Sequence, residues 1–252
     1  MPDSLFGSSD EEEVDFAPSE PPRASLADVD LVAHSECPPI PGLYIIRHAV
    51  SQDLQDQLVA VLSRDVWPGA TDQVMVFTSE HNPKLPAYLQ PLVGALPAAL
   101  EPLPDHLKAL VLHSDRPLQA IMNCYQPGQG ISPHVDLPER YEDGIVGLSL
   151  LSSTVMEFRR NDPTSTGHLL DRSLEASGTP DPSAYAVRLR PGDLYVLTGD
   201  ARWEWTHGIP YRYEDVVQDE QGQPTRTVRN LRMSVTLRRM KPGADCVGSD
   251  SR

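Results

Sequence analysis

At 252 residues the chain is long enough to bury one large core or two small ones, and its net charge of −15 excludes a globally basic, phosphate-seeking surface. The charge is uneven, because residues 1–40 carry ten acids against Arg23 alone. Cys37, Cys124 and Cys246 form no C-x-x-C pair and no long apolar run occurs, so the expectation is a soluble, monomeric chain of the cytoplasm and/or nucleus, without signal peptide, transit peptide or membrane span.

In chain order, residues 1–40, with "SSDEEE" and "APSEPPR", combine acid and proline with few large apolar groups. Such a composition does not repay the entropy of ordering, so a disordered acidic tail is expected, either simply solvated or docking a partner. A folded domain is expected over 41–240, followed by a short C-terminal tail, 241–252. "GLYIIR" reads as a strand, and Ser51 then caps a helix whose Leu54, Leu58, Val61 and Leu62 fall at helical spacing. "QVMVF" reads as a strand, while "PAYLQPLVGALPAAL" and "PDHLKALVLH" read as helices opened by proline.

From Leu118 the texture changes to short β-rich runs separated by Gly, Pro and Asp: "LQAIMNCY", "IVGLSLL", "TVMEFRR", "YAVRLR", "DLYVLTG", "EWTHG" and "RMSVTLRR". That spacing predicts a sandwich or barrel. The polar stretches Asn161 to Ala184 and Arg212 to Arg229 are too long for hairpin turns and are expected to be surface loops.

"SPHVD" places His134 and Asp136 two residues apart, on the same side of an extended segment and about 7 Å apart. They can grip one ion from one side, or they can be an ordinary polar strand end. "WTHGI" offers His207 as a third ligand, and two histidines with one carboxylate form the facial triad that suits Fe(II) and leaves positions open. In "RMSVTLR" the residues Arg232, Ser234, Thr236 and Arg238 share one strand face, and Met233, Val235 and Leu237 share the other. Two inward arginines are costly unless an anion meets them, and a dicarboxylate would satisfy both.

Taken together, "NCYQPGQGISPHVD", "GDLYVLTGDARWEWTHGI" and "RMSVTLR" resemble the AlkB-like Fe(II)/2-oxoglutarate-dependent dioxygenases over roughly Leu43 to Arg239. The resemblance implies an α+β protein with a double-stranded β-helix (jelly roll) core and flanking N-terminal helices. It implies that His134, Asp136 and His207 bind iron and that O2 and 2-oxoglutarate are co-substrates. Arg232 would pair with the distal carboxylate of 2-oxoglutarate, assisted by the Tyr125 hydroxyl; Asn123 and Arg238 would lie near the carboxylate that chelates iron. Ser234 stands where the bacterial pattern has asparagine.

The glycines of "PGQGI" permit the tight turn that delivers His134. Trp203, Trp205 and Tyr211 flank His207 as either core or a stacking surface for a flipped base. The resemblance favours oxidative demethylation of alkylated DNA or RNA bases. The alternatives are a hydroxylase or demethylase of a protein or small molecule, and a non-catalytic binding module of the same fold. A basic rim built from Arg159, Arg160, Arg212, Arg226 and Arg229 would favour nucleic acid.

Overall fold

The side-chain oxygen of Ser51 accepts the backbone N–H of Leu54 at 3.3 Å and opens helix α1 (Gln52–Asp65), as the sequence predicts. The computed structural model describes residues 31–67, 73–79, 81–113, 115–161 and 183–244. Ahead of α1 runs strand β1 (Leu43–Ile46), and after it β2 (Gln73–Phe77). A 3₁₀ turn (Ala87–Leu89) leads into α2 (Gln90–Ala99), and Pro104 precedes α3 (Asp105–Leu112). Leu58, Leu62, Leu92, Leu96, Leu107 and Val111 of these helices are buried in one cluster. Each side chain so buried contributes about 1.5–3 kcal/mol over exposure.

The strands that follow are β3 (Leu118–Tyr125), β4 (Ile131–His134), β5 (Ile145–Leu150), β6 (Thr154–Arg160), β7 (Ala184–Leu189) and β8 (Leu194–Leu197). A short helix α4 (Gly199–Trp203) leads to β9 (Trp205–Ile209), and β12 (Arg232–Arg239) ends the series. They form a six-stranded sheet, β1-β8-β5-β12-β3-β2, and a four-stranded sheet, β4-β9-β6-β7, with antiparallel pairing throughout. This is the jelly roll with N-terminal helices. The period-2 pattern of β12 explains its layering: Met233, Val235 and Leu237 enter the cluster shared with the helices. Arg232, Ser234, Thr236 and Arg238 therefore face the other way, into the roll. There a second cluster, including Phe158, Val187, Leu189, Trp205 and Ile209, fills part of the interior.

Two expectations are corrected. The stretch Arg212 to Arg229 is not a loop: it holds the hairpin β10 (Glu214–Gln218) and β11 (Pro224–Val228). Its polar sequence hides the strands because Asp215, 2% exposed, is buried as an ion pair with Arg229 rather than as an apolar side chain. The acidic tail, expected to be disordered to residue 40, is structured in the described part from residue 31. Ala33 and His34 insert as a parallel strap between β7 and β10, bridging to Val217 on one side and Val187 on the other. Ala33 is 1% and Ile40 3% exposed, so this short apolar part of the tail has a sheet to pack on. Residues 1–30, most of the predicted loop Asn161 to Ala184, Cys246 and the C-terminal tail from residue 245 lie outside the described residues.

Candidate metal centre and co-substrate pocket

His134 closes β4 and pairs across with His207 of β9, while Asp136 follows two residues later. Two glycines of the preceding turn make this approach possible. Gly128 has φ +88°, and a Cβ on Gly130 would lie 2.1 Å from the carbonyl oxygen of Ile209, so only glycine lets β4 meet β9.

The ligand atoms of His134, Asp136 and His207 all lie within 4.8 Å of one another. The two imidazoles are 4.5 Å apart between ring centres, and His207 Nε2 is 3.6 Å from Asp136 Oδ2. His134 Nδ1 is 2.9 Å from the Ser132 carbonyl oxygen. A carbonyl only accepts, so Nδ1 carries the proton and Nε2 is left as the ligand. Burial lowers the His134 pKa, and burial together with the His134 and Arg202 charges pushes that of His207 down to about 3. Both rings are thus neutral, the form a metal takes without displacing a proton. Arg238 Nη1 donates to Asp136 Oδ1, which leaves Oδ2 for an ion. Two neutral imidazoles and one carboxylate, all largely buried, fit Fe(II).

The co-substrate residues converge on the inner face of β12 and its neighbours. Arg232 is 4% exposed, and burial lowers its pKa. Among the described residues no carboxylate lies within ion-pairing distance of it. Its Nε donates to Ser149 Oγ at 3.3 Å, and its Cζ stands 5.4 Å from the centre of the Tyr125 ring. Burial raises the Tyr125 pKa and keeps the phenol a neutral donor. Ser234 is in register with Asn123 on one side and Ser149 on the other. The side-chain oxygen of Asn123 accepts from Gln73 Nε2 at 2.8 Å. Arg238 Nε donates to Gln119 Oε1 at 2.5 Å, and its guanidinium lies 3.9 Å above the Tyr141 ring.

A cavity of about 330 Å³ opens beside this set, lined by Gln73, Asn123, Tyr125, Gln129, Ile131 and Tyr211 among others. The metal ligands are not in its wall. It adjoins them through β4, which carries Ile131 and His134, and reaches Arg232 through Tyr125. Of the aromatic residues flanking His207, Trp205 is core against Tyr185, and Trp203 lies under Arg202, 4.1 Å from its guanidinium. Tyr211 alone of the three lines the cavity, 66% exposed.

The arginines whose clustering would favour nucleic acid do not form a free basic rim. Arg159 and Arg212 contact Glu157, Arg212 and Arg229 share Asp215, and Arg226 pairs with Glu214. Four of the five are thereby bound to three carboxylates, Glu157, Glu214 and Asp215.

Two features escape sequence reasoning. Ser149 is the lone polar residue of a fully buried strand, which is a usable signal. Arg202 is 1% exposed and has no carboxylate within ion-pairing distance among the described residues; its nitrogens donate to the carbonyls of Asp136 (2.8 Å), Tyr141 (3.3 Å) and Glu142 (3.3 Å). It ties the segment leading to His207 to the loop that carries Asp136.

Over residues 68–238 the sequence matches the family described as the 2OG-Fe(II) oxygenase superfamily. It is 29% identical over 198 residues to an uncharacterised protein of Acanthamoeba polyphaga mimivirus, covering 78% of this chain and 84% of that one. It is 31% identical over 215 residues to an alkylated DNA repair protein ALKBH8 homolog of Arabidopsis thaliana, covering 80% of this chain and 59% of that one. The chain thus spans little more than half of the plant relative's length. In fold it is similar to a prolyl-4-hydroxylase of Pseudomonas putida, with a TM-score of 0.50 and 13% identity over 80% of this chain and 94% of that one. The chain belongs to the AlkB-like 2OG-Fe(II) oxygenases: it is a dioxygenase that uses Fe(II), 2-oxoglutarate and O2.

Proposed function

We propose that the substrate is an N-alkylated nucleobase in single-stranded or locally opened DNA or RNA, and that the reaction is oxidative demethylation. The observation that carries this reading is the cavity beside the co-substrate residues, where the exposed ring of Tyr211 gives an unstacked base a surface to stack on. The likeness to a relative named for alkylated DNA repair supports it.

His134, Asp136 and His207 would hold the iron, and Arg232, with Tyr125 and Ser149 beside it, would take the far carboxylate of 2-oxoglutarate. Bound there, the pair supplies the four-electron reduction of dioxygen, in which one oxygen atom ends in succinate, released with carbon dioxide, and the other enters a substrate C–H bond. Arg238 holds Asp136 in place through Oδ1, and Tyr141 and Gln119 hold Arg238. The second apolar cluster, which includes Phe158, Trp205 and Ile209, shares the interior of the roll with the inner face of β12 and keeps bulk water from it. Insertion at an N-methyl carbon gives a hydroxymethyl amine, which loses formaldehyde and leaves N–H.

A protein or small-molecule substrate is the second reading, and the pairing of Arg159, Arg212, Arg226 and Arg229 with acids favours it. Mass spectrometry of products across methylated DNA, RNA and peptide pools separates the two. Formaldehyde and succinate released with a methylated oligonucleotide support the first; turnover coupled only to a peptide or metabolite overturns it.

A further inference from the structure

We propose that two buried arginines, Arg229 and Arg202, are positioning residues that clip the two ends of the β4–β9 pair and so set the register in which His134 meets His207. The ladder between these strands is a weak one. β4 is an edge strand of the four-stranded sheet, and it is in register with β9 at Ile131–Ile209 and His134–His207, with an irregularity between them. Pro133, inside that irregularity, has no N–H to give to a ladder. A slip of one residue would turn His134 to the other face, away from His207.

Arg229 closes the end nearer Ile131. It is 5% exposed, and its Nη1 donates to the carbonyl of Pro210 at 2.6 Å and to that of Gln129 at 3.4 Å. Pro210 directly follows β9, and Gln129 stands just ahead of Gly130 and the first residue of β4. This is where a Cβ on Gly130 would meet the Ile209 carbonyl, so the glycine lets the two chains approach and Arg229 holds them there. The guanidinium is itself fixed. Its Nε and Nη2 donate to the two carboxylate oxygens of Asp215 at 2.8 and 2.7 Å, and Asp215 also accepts the Val155 N–H of β6 at 3.1 Å. The β10–β11 hairpin, with Arg229 just past its end, thereby delivers the clip.

Arg202 closes the other end. It sits in α4, just ahead of β9, and its Nη1 donates to the carbonyl of Asp136 at 2.8 Å. Both arginines reach backbone carbonyls, so they hold the chain that carries the ligands rather than any one side chain. Buried from water, such charge-assisted bonds are stronger than neutral ones.

The test is the Mn(II) affinity of the folded protein, by calorimetry, in Asp215→Asn/Arg229→Met and in Arg202→Met. The double change removes the buried ion pair as a unit and leaves an oxygen for the Val155 N–H. Leu58→Ala, in the helical cluster on the outer face of the six-stranded sheet, is the destabilised control. Each clip variant should lose at least fivefold in affinity, about 1 kcal/mol, while the control stays within twofold of the native protein. Arg202→Lys keeps the charge, but one ammonium cannot span three carbonyls; if Arg202→Met does not fold, Arg202→Lys is read against the same threshold. A smaller loss at either end overturns the inference. So does a control that leaves the twofold range, because metal affinity would then follow global stability rather than the clips.

Discussion

Arg232 and Arg202 are both buried arginines without a carboxylate among the described residues, yet they are satisfied in different ways. Arg202 directs a donor from each of its three nitrogens to a backbone carbonyl. Replacing it with methionine strands those carbonyls, and a loss of about 3 kcal/mol is expected from denaturant melts. Arg232 has one weak bond to Ser149 and waits for an anion. Arg232→Ala should raise the 2-oxoglutarate dissociation constant at least tenfold, about 1.4 kcal/mol, by calorimetry. An unchanged constant would mean that the dicarboxylate binds elsewhere. His207→Ala removes one of three ligands, and Mn(II) or Fe(II) affinity should fall at least a hundredfold, about 2.7 kcal/mol. Full metal stoichiometry in that variant would exclude the assignment.

At the scale of elements, the strap at Ala33 and His34 is held by four backbone hydrogen bonds to β7 and β10, two through each residue. Ala33→Asp would place an acid at a position that is 1% exposed. A loss of about 3 kcal/mol is expected, with exposed β7 and β10 edges prone to aggregate. A melting curve matching the native one would show that the strap carries no load. The strands β3, β5 to β9 and β12 were legible because apolar and β-branched residues run together between Gly, Pro and Asp. The His134–Asp136 pair was legible because it is local. The hairpin was not, because its burial depends on Asp215 meeting Arg229, which lies just past the end of β11. Nor was Arg202, whose partners are carbonyls of a loop about sixty residues earlier, and a backbone carbonyl has no residue-type signal.

For the whole molecule, the sign and placement of charge matter more than their sum. Arg159, Arg212, Arg226 and Arg229 are bound to acids, so few bases are left for phosphates. Oligonucleotide affinity should therefore fall only shallowly with salt. A slope of about −2 in log K against log salt, equivalent to two or three released counterions, is expected from anisotropy titrations. A slope near −6 would reveal a basic track elsewhere on the surface.

The strap also has a consequence for the order in which the molecule is made. His34 meets Gln218 across 184 positions of chain, so the strap at Ala33 and His34 joins a sheet only through strands made much later. Until β7 and β10 emerge it has no sheet to join, and a loop of that length adds its closure entropy to the final step. The metal ligands, all on β4, β9 and the turn after β4, do not depend on that step. The iron-binding residues can thus be assembled in a nascent protein whose N-terminal end is still loose. A strap mutation should accordingly speed unfolding more than it slows folding.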